Sequence, residues 1–303
     1  MELFGDTKAQ AEKRSAALSS VIAAFVLTGF KLFIGLLTNS LGILSEAAHS
    51  GIDLIAAIAT CFAVYVSDKP ADEGHHYGHG KIENLSAFIE TILLVITCIW
   101  IIQESIERLF FKAVQVDASI WAFLVIITSI LIDISRTRVL YRAARAHNSQ
   151  ALEADALHFS TDIWSSSVVL VGLVGLLLSQ MYPALAFLRV ADAIAALGVA
   201  LISIWISFKL GKRTVYALLD GAPEGLDVKI KQSVEELEGV TDCHNIRVRN
   251  SGPKLFVDVH VSLDGNQTLA KAHDLTELIE LTIQRLIPQS DVTVHPEPVE
   301  EIT

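Results

Sequence analysis

The chain has 303 residues, 52% of them hydrophobic, and a mean hydropathy of +0.49, which is too apolar for an ordinary soluble protein. Its formal net charge is −11, and residues 213–303 hold most of it, with 16 acidic against 8 basic side chains. This balance excludes a basic nucleic-acid-binding surface. The three scattered cysteines form no C-x-x-C pair, which excludes a disulfide framework or a thiolate zinc finger.

Six apolar stretches are long enough to cross a bilayer, since a helical span takes ~20 mainly apolar residues and lipid offers no partner to an unpaired backbone group. They are expected at about 15–37, 42–66, 83–109, 118–140, 155–180 and 189–210. The polar N-terminus has no signal-peptide core and is expected to stay in the cytosol. We therefore predict a six-helix transmembrane domain over residues 1–212.

The orientation follows from lysine and arginine near the span ends, which favour the cytosolic side. With the N-terminus inside, eleven such residues fall on the cytosolic side and three on the other. The eleven are Lys8, Lys13, Arg14, Lys69, Lys81, Arg136, Arg138, Arg142, Arg145, Lys209 and Lys212, and the three are Arg108, Lys112 and Arg189. Six spans then place both termini in the cytosol.

Residues 213–303 are predicted to form a small cytosolic α/β domain, because helical periodicity and strand-like alternation follow one another there. The order α-β-β-α-β fits an open ferredoxin-like fold. The predicted elements are, in chain order, Leu226–Leu237, Asn245–Asn250, Leu255–Leu263, Leu269–Leu286 and Asp291–His295.

Spans two and five carry the same pattern of ionisable residues, an acid followed by histidine three positions on and aspartate four further. Span two reads Glu46-Ala-Ala-His49-Ser-Gly-Ile-Asp53, and span five reads Asp155-Ala-Leu-His158-Phe-Ser-Thr-Asp162. Residues three, four and seven apart share one face of a helix. Because an ionisable residue inside a span costs ~2.5–3.5 kcal/mol on insertion scales, it is a functional candidate by default.

Two such helices facing each other would supply a tetrahedral set of two imidazoles and two carboxylates. This set suits zinc, whereas magnesium and calcium prefer six or more oxygens. The alternative is that these side chains are polar contacts satisfied between helices. The four candidate ligands are His49, Asp53, His158 and Asp162.

Three further ionisable residues in the spans have less certain roles. Glu46 and Asp155 could support the ligands or pack as polar contacts between helices. Lys31 is expected to snorkel or to pair with an acid.

Histidines outside the spans suggest further metal sites. In the polar loop SDKPADEGHHYGHGK, Asp72, His75 and His79 have metal-ligand spacing, and a solvated loop is the alternative. The acidic tail holds four histidines that either bind metal or lie on its surface, and Cys243 is expected to be an ordinary buried cysteine. The four are His244, His260, His273 and His295.

These segments together resemble the cation diffusion facilitators, in particular bacterial members that act as homodimeric zinc/proton antiporters. The resemblance covers almost the whole chain. Its most specific parts are HSGID in span two, ADALHFSTD in span five, PADEGHHYGHGK in the loop, and NIRVRNSGP and VTVHPEP in the tail.

The resemblance implies three metal sites and one ion pair. Its transport site falls on His49, Asp53, His158 and Asp162, its loop site on Asp72, His75 and His79, and its binuclear cytosolic site on His244, His260, His273, His295 and Glu297. A lysine and an aspartate that pair near the dimer interface in those relatives correspond to Lys81 and Asp220.

Two positions depart from many relatives. Aspartate is common where this chain has His49, and imidazole there should favour zinc over larger, softer cadmium. Some relatives have aspartate in place of Glu297. Other members carry iron or manganese, but two histidines disfavour manganese, which prefers oxygen-rich sites.

The resemblance implies alternating access, and the ligand chemistry implies competition with protons. Zinc binds neutral imidazole and ionised carboxylate, and imidazole has an unperturbed pKa of ~6.5. We therefore expect a homodimer in a bacterial inner membrane that exports zinc from the cytosol, takes protons as counter-ion, and senses Zn²⁺ through its tail.

Two other classes of function remain as alternatives. One is an exporter of another divalent metal (Fe, Cd or Mn), and the other is a non-transporting, metal-gated membrane protein. An intramembrane metalloprotease is disfavoured because the chain has no H-E-x-x-H motif.

Overall fold

The structure is a computed structural model that describes residues 2–110, 119–181 and 188–299. Within these residues six long helices precede a small α/β domain. The long helices are α1 (Glu2–Thr38), α2 (Leu41–Ser67), α3 (Lys81–Phe110), α4 (Ile120–His147), α5 (Gln150–Met181) and α6 (Leu188–Leu218).

All six helices are long and apolar enough to cross a membrane, judged by length and composition. Each runs past its predicted apolar stretch at one end or both, because a helix can continue into water once its apolar part ends. Thus α1 begins at Glu2, α4 ends at His147, and α6 ends at Leu218, beyond the domain end predicted at 212. Residue 118 and Lys112 lie outside the described residues.

Capping residues in the sequence account for several helix ends. Ser40 precedes α2 and accepts a hydrogen bond from the Ile43 backbone N–H, and Ser119 precedes α4 and accepts one from Ala122. Such N-caps satisfy amides that have no partner inside the helix. Asn148 closes α4 in the left-handed region, with φ at 51°.

The bundle exposes large apolar side chains on its outside and buries charged ones such as Lys13 and Glu83, which is unusual for a soluble protein. Helix α1 packs on α2, α3 on α6 and α4 on α5. Large side chains such as Phe25, Trp205 and Phe208 are exposed. In a bilayer these surfaces contact lipid, since exposed apolar patches of this kind do not occur on ordinary soluble monomers.

The C-terminal domain consists of two helices on a three-stranded sheet, as predicted. The sheet has the order β1-β2-β3, with β1 antiparallel and β3 parallel to β2. Its core contains Ile230, Val257, Val259, Ile279 and Ile283. The elements are α7 (Leu226–Glu235), β1 (Val240–Ser251), β2 (Lys254–Leu263), α8 (Leu269–Leu286) and β3 (Ser290–Pro298).

Both outer strands are longer than predicted. Strand β1 begins at Val240 instead of 245, and β3 continues to Pro298 instead of ending at 295. These extensions bring His244 and Glu297 onto the sheet, where the strand register fixes their neighbours.

The turn between β1 and β2 contacts the start of α3. The Gly252 N–H donates to Asn84 Oδ1 at 2.8 Å, and Asn84 Nδ2 donates to Gln150 Oε1 at 3.0 Å. Gly80 lies so close to the backbone of Ser251 that a Cβ atom at position 80 would overlap it. A glycine is therefore required at the point where the sheet meets the bundle.

We expect Gly80→Ala to loosen this contact. The new methyl group would collide with Ser251 backbone, so the turn must move away and the Gly252 N–H loses its partner. Hydrogen–deuterium exchange should rise about tenfold at residues 251–252. Gly198→Ala is the matched control because nothing lies within 4 Å of its added Cβ. Equal exchange in both variants would contradict the prediction.

Candidate metal centres

The intramembrane ligands predicted from spans two and five converge. His158 Nε2 lies 3.2 Å from Asp53 Oδ1 and 3.6 Å from Asp162 Oδ2, so one imidazole faces carboxylates from two helices. One ligand atom from each of these three residues lies within 4.8 Å of the others. Asp53 and His158 are buried, and the spacing is short enough for one cation to contact all three.

His49 lies at the edge of this cluster. Its Nε2 is 3.9 Å from Asp53 Oδ1, and its ring packs 6.2 Å from the ring of Trp100. His49 does not belong to the tight triad, but the two atoms are close enough for a small rotation to bring the imidazole to the same ion. Of the four predicted ligands, Asp53, His158 and Asp162 thus form a close group, and His49 lies beside it.

A cavity of about 200 Å³ opens onto this cluster. The start of α3 contacts the C-terminal sheet, whereas the part of α3 that lines the cavity is the later segment Thr97–Ser105. The cavity therefore lies in the half of the bundle away from the C-terminal domain. Water occupies about 30 Å³ per molecule, so an ion could enter with several waters. Polar groups on its wall include Lys31, Glu46 and Asp133.

The three less certain residues have defined partners. Lys31 Nζ lies 3.2 Å from Glu46 Oε2, which confirms the expected pairing with an acid. Asp155 accepts a hydrogen bond from Ser20 at 3.1 Å, which ties α5 to α1. Neither Glu46 nor Asp155 belongs to the His–Asp triad.

Two basic residues counted from the sequence as cytosolic flanking charges are buried ion-pair partners. Lys13 Nζ lies 2.6 Å from Asp68 Oδ1 and 2.9 Å from Glu83 Oε1. Arg136 donates to Asp133 at 3.3 Å and to Ser20. The second contact could have been predicted, because Asp133 and Arg136 lie three positions apart inside an apolar stretch. The two ion pairs of Lys13 join residues far apart in sequence, and no local pattern indicates them.

The loop residues Asp72, His75 and His79 also come together. Asp72 Oδ1 lies 3.2 Å from His75 Nδ1, Asp72 Oδ2 lies 3.3 Å from His79 Nε2, and the two imidazole rings are 4.3 Å apart. Desolvation alone would raise the pKa of Asp72. Hydrogen bonds from the His75 backbone and ring outweigh it and hold that pKa below its usual value. The carboxylate is therefore kept ionised, as a metal ligand must be.

The loop also contacts the C-terminal sheet. The Tyr77 ring meets the Phe256 ring edge-on at 5.2 Å, and the Arg249 guanidinium lies 4.0 Å from the centre of the Tyr77 ring. Such cation–π contacts are worth ~0.5–1 kcal/mol at exposed sites. The loop triad is thus held next to the strands of the sheet.

On the sheet, Glu297 joins His244 and His260. His260 Nδ1 lies 2.7 Å from Glu297 Oε1, and His244 Nε2 lies 3.2 Å from Glu297 Oε2. The register explains this, because His260 pairs with His244 on one side and with His295 on the other. Asp242, which the sequence analysis missed, lies 2.9 Å from His244 Nδ1. It could have been found as the residue two before His244 on a strand.

The remaining tail histidines are placed differently. His295 Nε2 lies 3.8 Å from Glu297 Oε1, and its ring is 4.7 Å from that of His260, so it borders the triad. His273 lies on α8 beside Glu277 at 3.5 Å and is not brought to the other four predicted ligands within this chain. Cys243 is buried, and burial raises the pKa of its thiol to about 11, which disfavours the thiolate needed for metal binding.

The predicted ion pair between Lys81 and Asp220 is formed within the chain. Lys81 Nζ lies 2.8 Å from Asp220 Oδ1 and donates to the Leu218 carbonyl at 3.4 Å. The pair fastens the start of α3 to the end of α6.

When a chelator keeps the protein free of metal, we expect the Glu297 carboxylate to stabilise the fold, and we expect this stabilisation to depend on pH. The hydrogen bond from His260 lowers the pKa of Glu297 below its usual 4.5. A carboxyl with a lower pKa in the folded state stabilises above its unfolded pKa and loses this as pH falls through the folded value. Glu297→Gln should therefore lower the Tm by roughly 2 °C at pH 7 and less below about pH 4.5.

The control for this experiment is Asp274→Asn, an exposed carboxylate on α8 away from the triad. Its Tm should follow that of the unmodified chain across the same pH range. A Glu297→Gln deficit that grows on acidification would contradict the assignment.

Comparison with known proteins agrees with this architecture. Residues 17–219 match the cation efflux transmembrane domain, and residues 223–299 match the cytoplasmic domain of cation efflux proteins. The cation-efflux pump FieF of Yersinia enterocolitica is 31% identical over 288 residues, which is 94% of this chain and 92% of that protein. FieF of Escherichia coli O139:H28 is 30% identical over 93% of this chain and 92% of its own length.

Two solved structures of similar proteins each cover about a quarter of this chain. The zinc form of CzrB is 24% identical and covers 28% of this chain and 97% of its own, with a TM-score of 0.25. The nickel form of a MamM CTD variant is 22% identical and covers 26% of this chain and 100% of its own, with a TM-score of 0.25.

Six apolar helices and the two domain matches define an integral membrane protein that transports divalent metal cations and is not an enzyme. The chain belongs to the cation efflux family, the cation diffusion facilitators.

Proposed function

We propose that the chain exports zinc from the cytosol by alternating access in exchange for protons. The observation that carries this proposal is the buried triad of Asp53, His158 and Asp162 beside a cavity, with His49 at its edge. Ionisable groups at such depth in a membrane domain are expensive and mark ion pathways.

The ligand types support zinc over other divalent cations. Two imidazoles and two carboxylates make a four-coordinate N/O set, which zinc accepts without a ligand-field preference. Magnesium and calcium would need more oxygen ligands than these residues provide. His49 supplies nitrogen where an aspartate would supply oxygen, which favours zinc over cadmium and manganese.

Proton coupling follows from competition for the same atoms. Zinc binds a neutral imidazole, so a proton on that nitrogen blocks the metal, and binding of the metal releases the proton. Free imidazole titrates near pH 6.5, between the pH values found on the two sides of many membranes. Protons entering from outside would thus displace zinc from His158 and His49.

We propose regulatory roles for the other two clusters. The loop triad and the sheet triad each offer histidine and carboxylate atoms close enough to hold a zinc ion on the surface of the protein. Zinc at the sheet would offset part of the acidic charge of the C-terminal domain and favour the approach of a second copy. The working unit in this proposal is a homodimer, with Lys81 and Asp220 near the interface.

The membrane orientation is part of the same proposal. The excess of lysine and arginine beside one set of helix ends supports an orientation with the N-terminus and the C-terminal domain in the cytosol. In a bacterium this means the inner membrane, with the sheet and loop triads sampling cytosolic zinc.

Proteoliposomes with an imposed pH gradient test the proposal. Zinc flux should rise when the compartment that receives zinc is made acidic, and each zinc transported should displace protons that a pH dye reports. Flux that ignores the gradient would indicate a channel, and no flux of any metal would indicate a metal-gated protein. Competition with cadmium, iron and manganese identifies the preferred metal.

A further inference from the structure

Lys31 is a buried cation on the wall of the cavity that leads to the His–Asp triad. Its Nζ donates to Ser50 Oγ at 2.8 Å and lies 3.2 Å from Glu46 Oε2. The Lys31 side chain is 6% exposed, whereas that of Glu46 is 55% exposed. Glu46 therefore holds the ammonium group from the open side of the cavity.

The anchoring of Lys31 is built from two helices. Thr28, three residues earlier on α1, donates to the Ser50 carbonyl at 2.9 Å and fixes α1 against α2. Ser50 follows His49, so the ammonium is held next to the ligand segment without contacting a ligand.

Besides Glu46, three carboxylates line the same cavity, those of Asp53, Asp133 and Asp162. Asp133 is paired with Arg136 at 3.3 Å. Among the described residues, the ion pairs of Asp53 and Asp162 are with histidine alone. A charge on Lys31 acts on them, and on any cation they hold, through a space partly screened from bulk water.

We propose that Lys31 is a tethered cation that competes with the transported metal for Asp53 and Asp162, and that Glu46 sets its strength by holding it on the cavity wall. Lys31 then promotes metal release into the cavity, and Glu46 restrains that effect. The inference rests on the proposed function, because it takes Asp53 and Asp162 as ligands of the transported ion.

This role predicts opposite effects for the two partners. Removing the positive charge in Lys31→Gln leaves Glu46 unopposed, so the metal should bind about tenfold tighter. Removing the negative charge in Glu46→Gln leaves Lys31 unopposed, so it should bind about tenfold more weakly. The double variant removes both charges, and Lys31→Arg keeps both, so each should stay within about threefold of the parent.

All variants are made in a full-length chain that already carries His79→Gln and His260→Gln. These two substitutions remove one ligand each from the loop triad and the sheet triad. Zn²⁺ and Co²⁺ binding is measured by titration calorimetry in lipid nanodiscs, with the Tm of each variant recorded in parallel. Asp162→Ala in the same parent reports whether the measured binding belongs to the intramembrane triad.

Opposite shifts in Kd for Lys31→Gln and Glu46→Gln, cancelled in the double variant, support the inference. If both single variants lower the Tm but leave Kd unchanged, or shift Kd in the same direction, the pair is merely structural and the inference is overturned. If Asp162→Ala leaves binding unchanged, the proposed transport site is wrong. If Asp162→Ala abolishes binding while the Lys31 and Glu46 variants do not move it, only the inference fails.

Discussion

Asp162→Ala is expected to reduce zinc flux in proteoliposomes to the protein-free background while leaving the protein folded. The Asp162 carboxylate lies 3.6 Å from His158 Nε2 and completes the triad with Asp53. Mutating a residue that only supports a metal ligand already lowers metal affinity by about 10–100-fold. Loss of a ligand itself should therefore weaken zinc binding by more than about 100-fold. Alanine leaves space but no ligand atom, and the helix retains its other contacts.

The control for Asp162→Ala is Ser165→Ala, which changes a residue of the same helix that lines the same cavity. It should transport zinc at close to the parental rate. Size-exclusion profiles and the Tm in detergent show whether each variant is folded. Proton-dependent zinc flux that survives in Asp162→Ala would remove the triad from the transport mechanism.

His49→Asp is expected to raise the ratio of cadmium to zinc transport by about tenfold. His49 Nε2 is 3.9 Å from Asp53 Oδ1, so the side chain at position 49 lies next to the triad. In the proposed transport site, an oxygen ligand there replaces the imidazole that we expect to favour zinc over the larger cadmium. Rates for both metals are measured in the same vesicle preparation.

A matched control makes the same substitution outside the triads. His76→Asp lies in the polar loop, where the His76 ring contacts only the Glu73 carbonyl among the interactions described for it. It should leave the metal ratio unchanged. An unchanged ratio in His49→Asp as well would mean that His49 does not contact the transported ion.

The sequence is sufficient for the parts of the structure that depend on local pattern. Six apolar stretches and the helix spacing of the His and Asp residues predict helices and a shared face, because both follow from 3.6 residues per turn and the thickness of a bilayer. The register of β1, β2 and β3 brings histidines that are far apart in sequence next to one another. The alternation of the strands predicts that these histidines lie on a sheet, but it does not predict which of them are neighbours.

Other features depend on pairing between distant segments and could not be predicted. Lys13 counts as a flanking charge in the sequence, but it is buried because Asp68 and Glu83 happen to face it from two other helices. His273 has the same residue type as the sheet histidines, but it lies on α8, and its position relative to them is set by how that helix packs. The closeness of Gly80 to Ser251 likewise needs the two domains side by side.

The hydrogen bonds of Asn84 have a mechanical consequence. One side chain holds both Gly252 of the C-terminal hairpin and Gln150 at the start of α5, the helix that supplies His158 and Asp162. Sliding of α5 along α3 must break one of these bonds or drag the hairpin with it. The C-terminal sheet is thereby linked mechanically to α5, so that a displacement of either one is transmitted to the other.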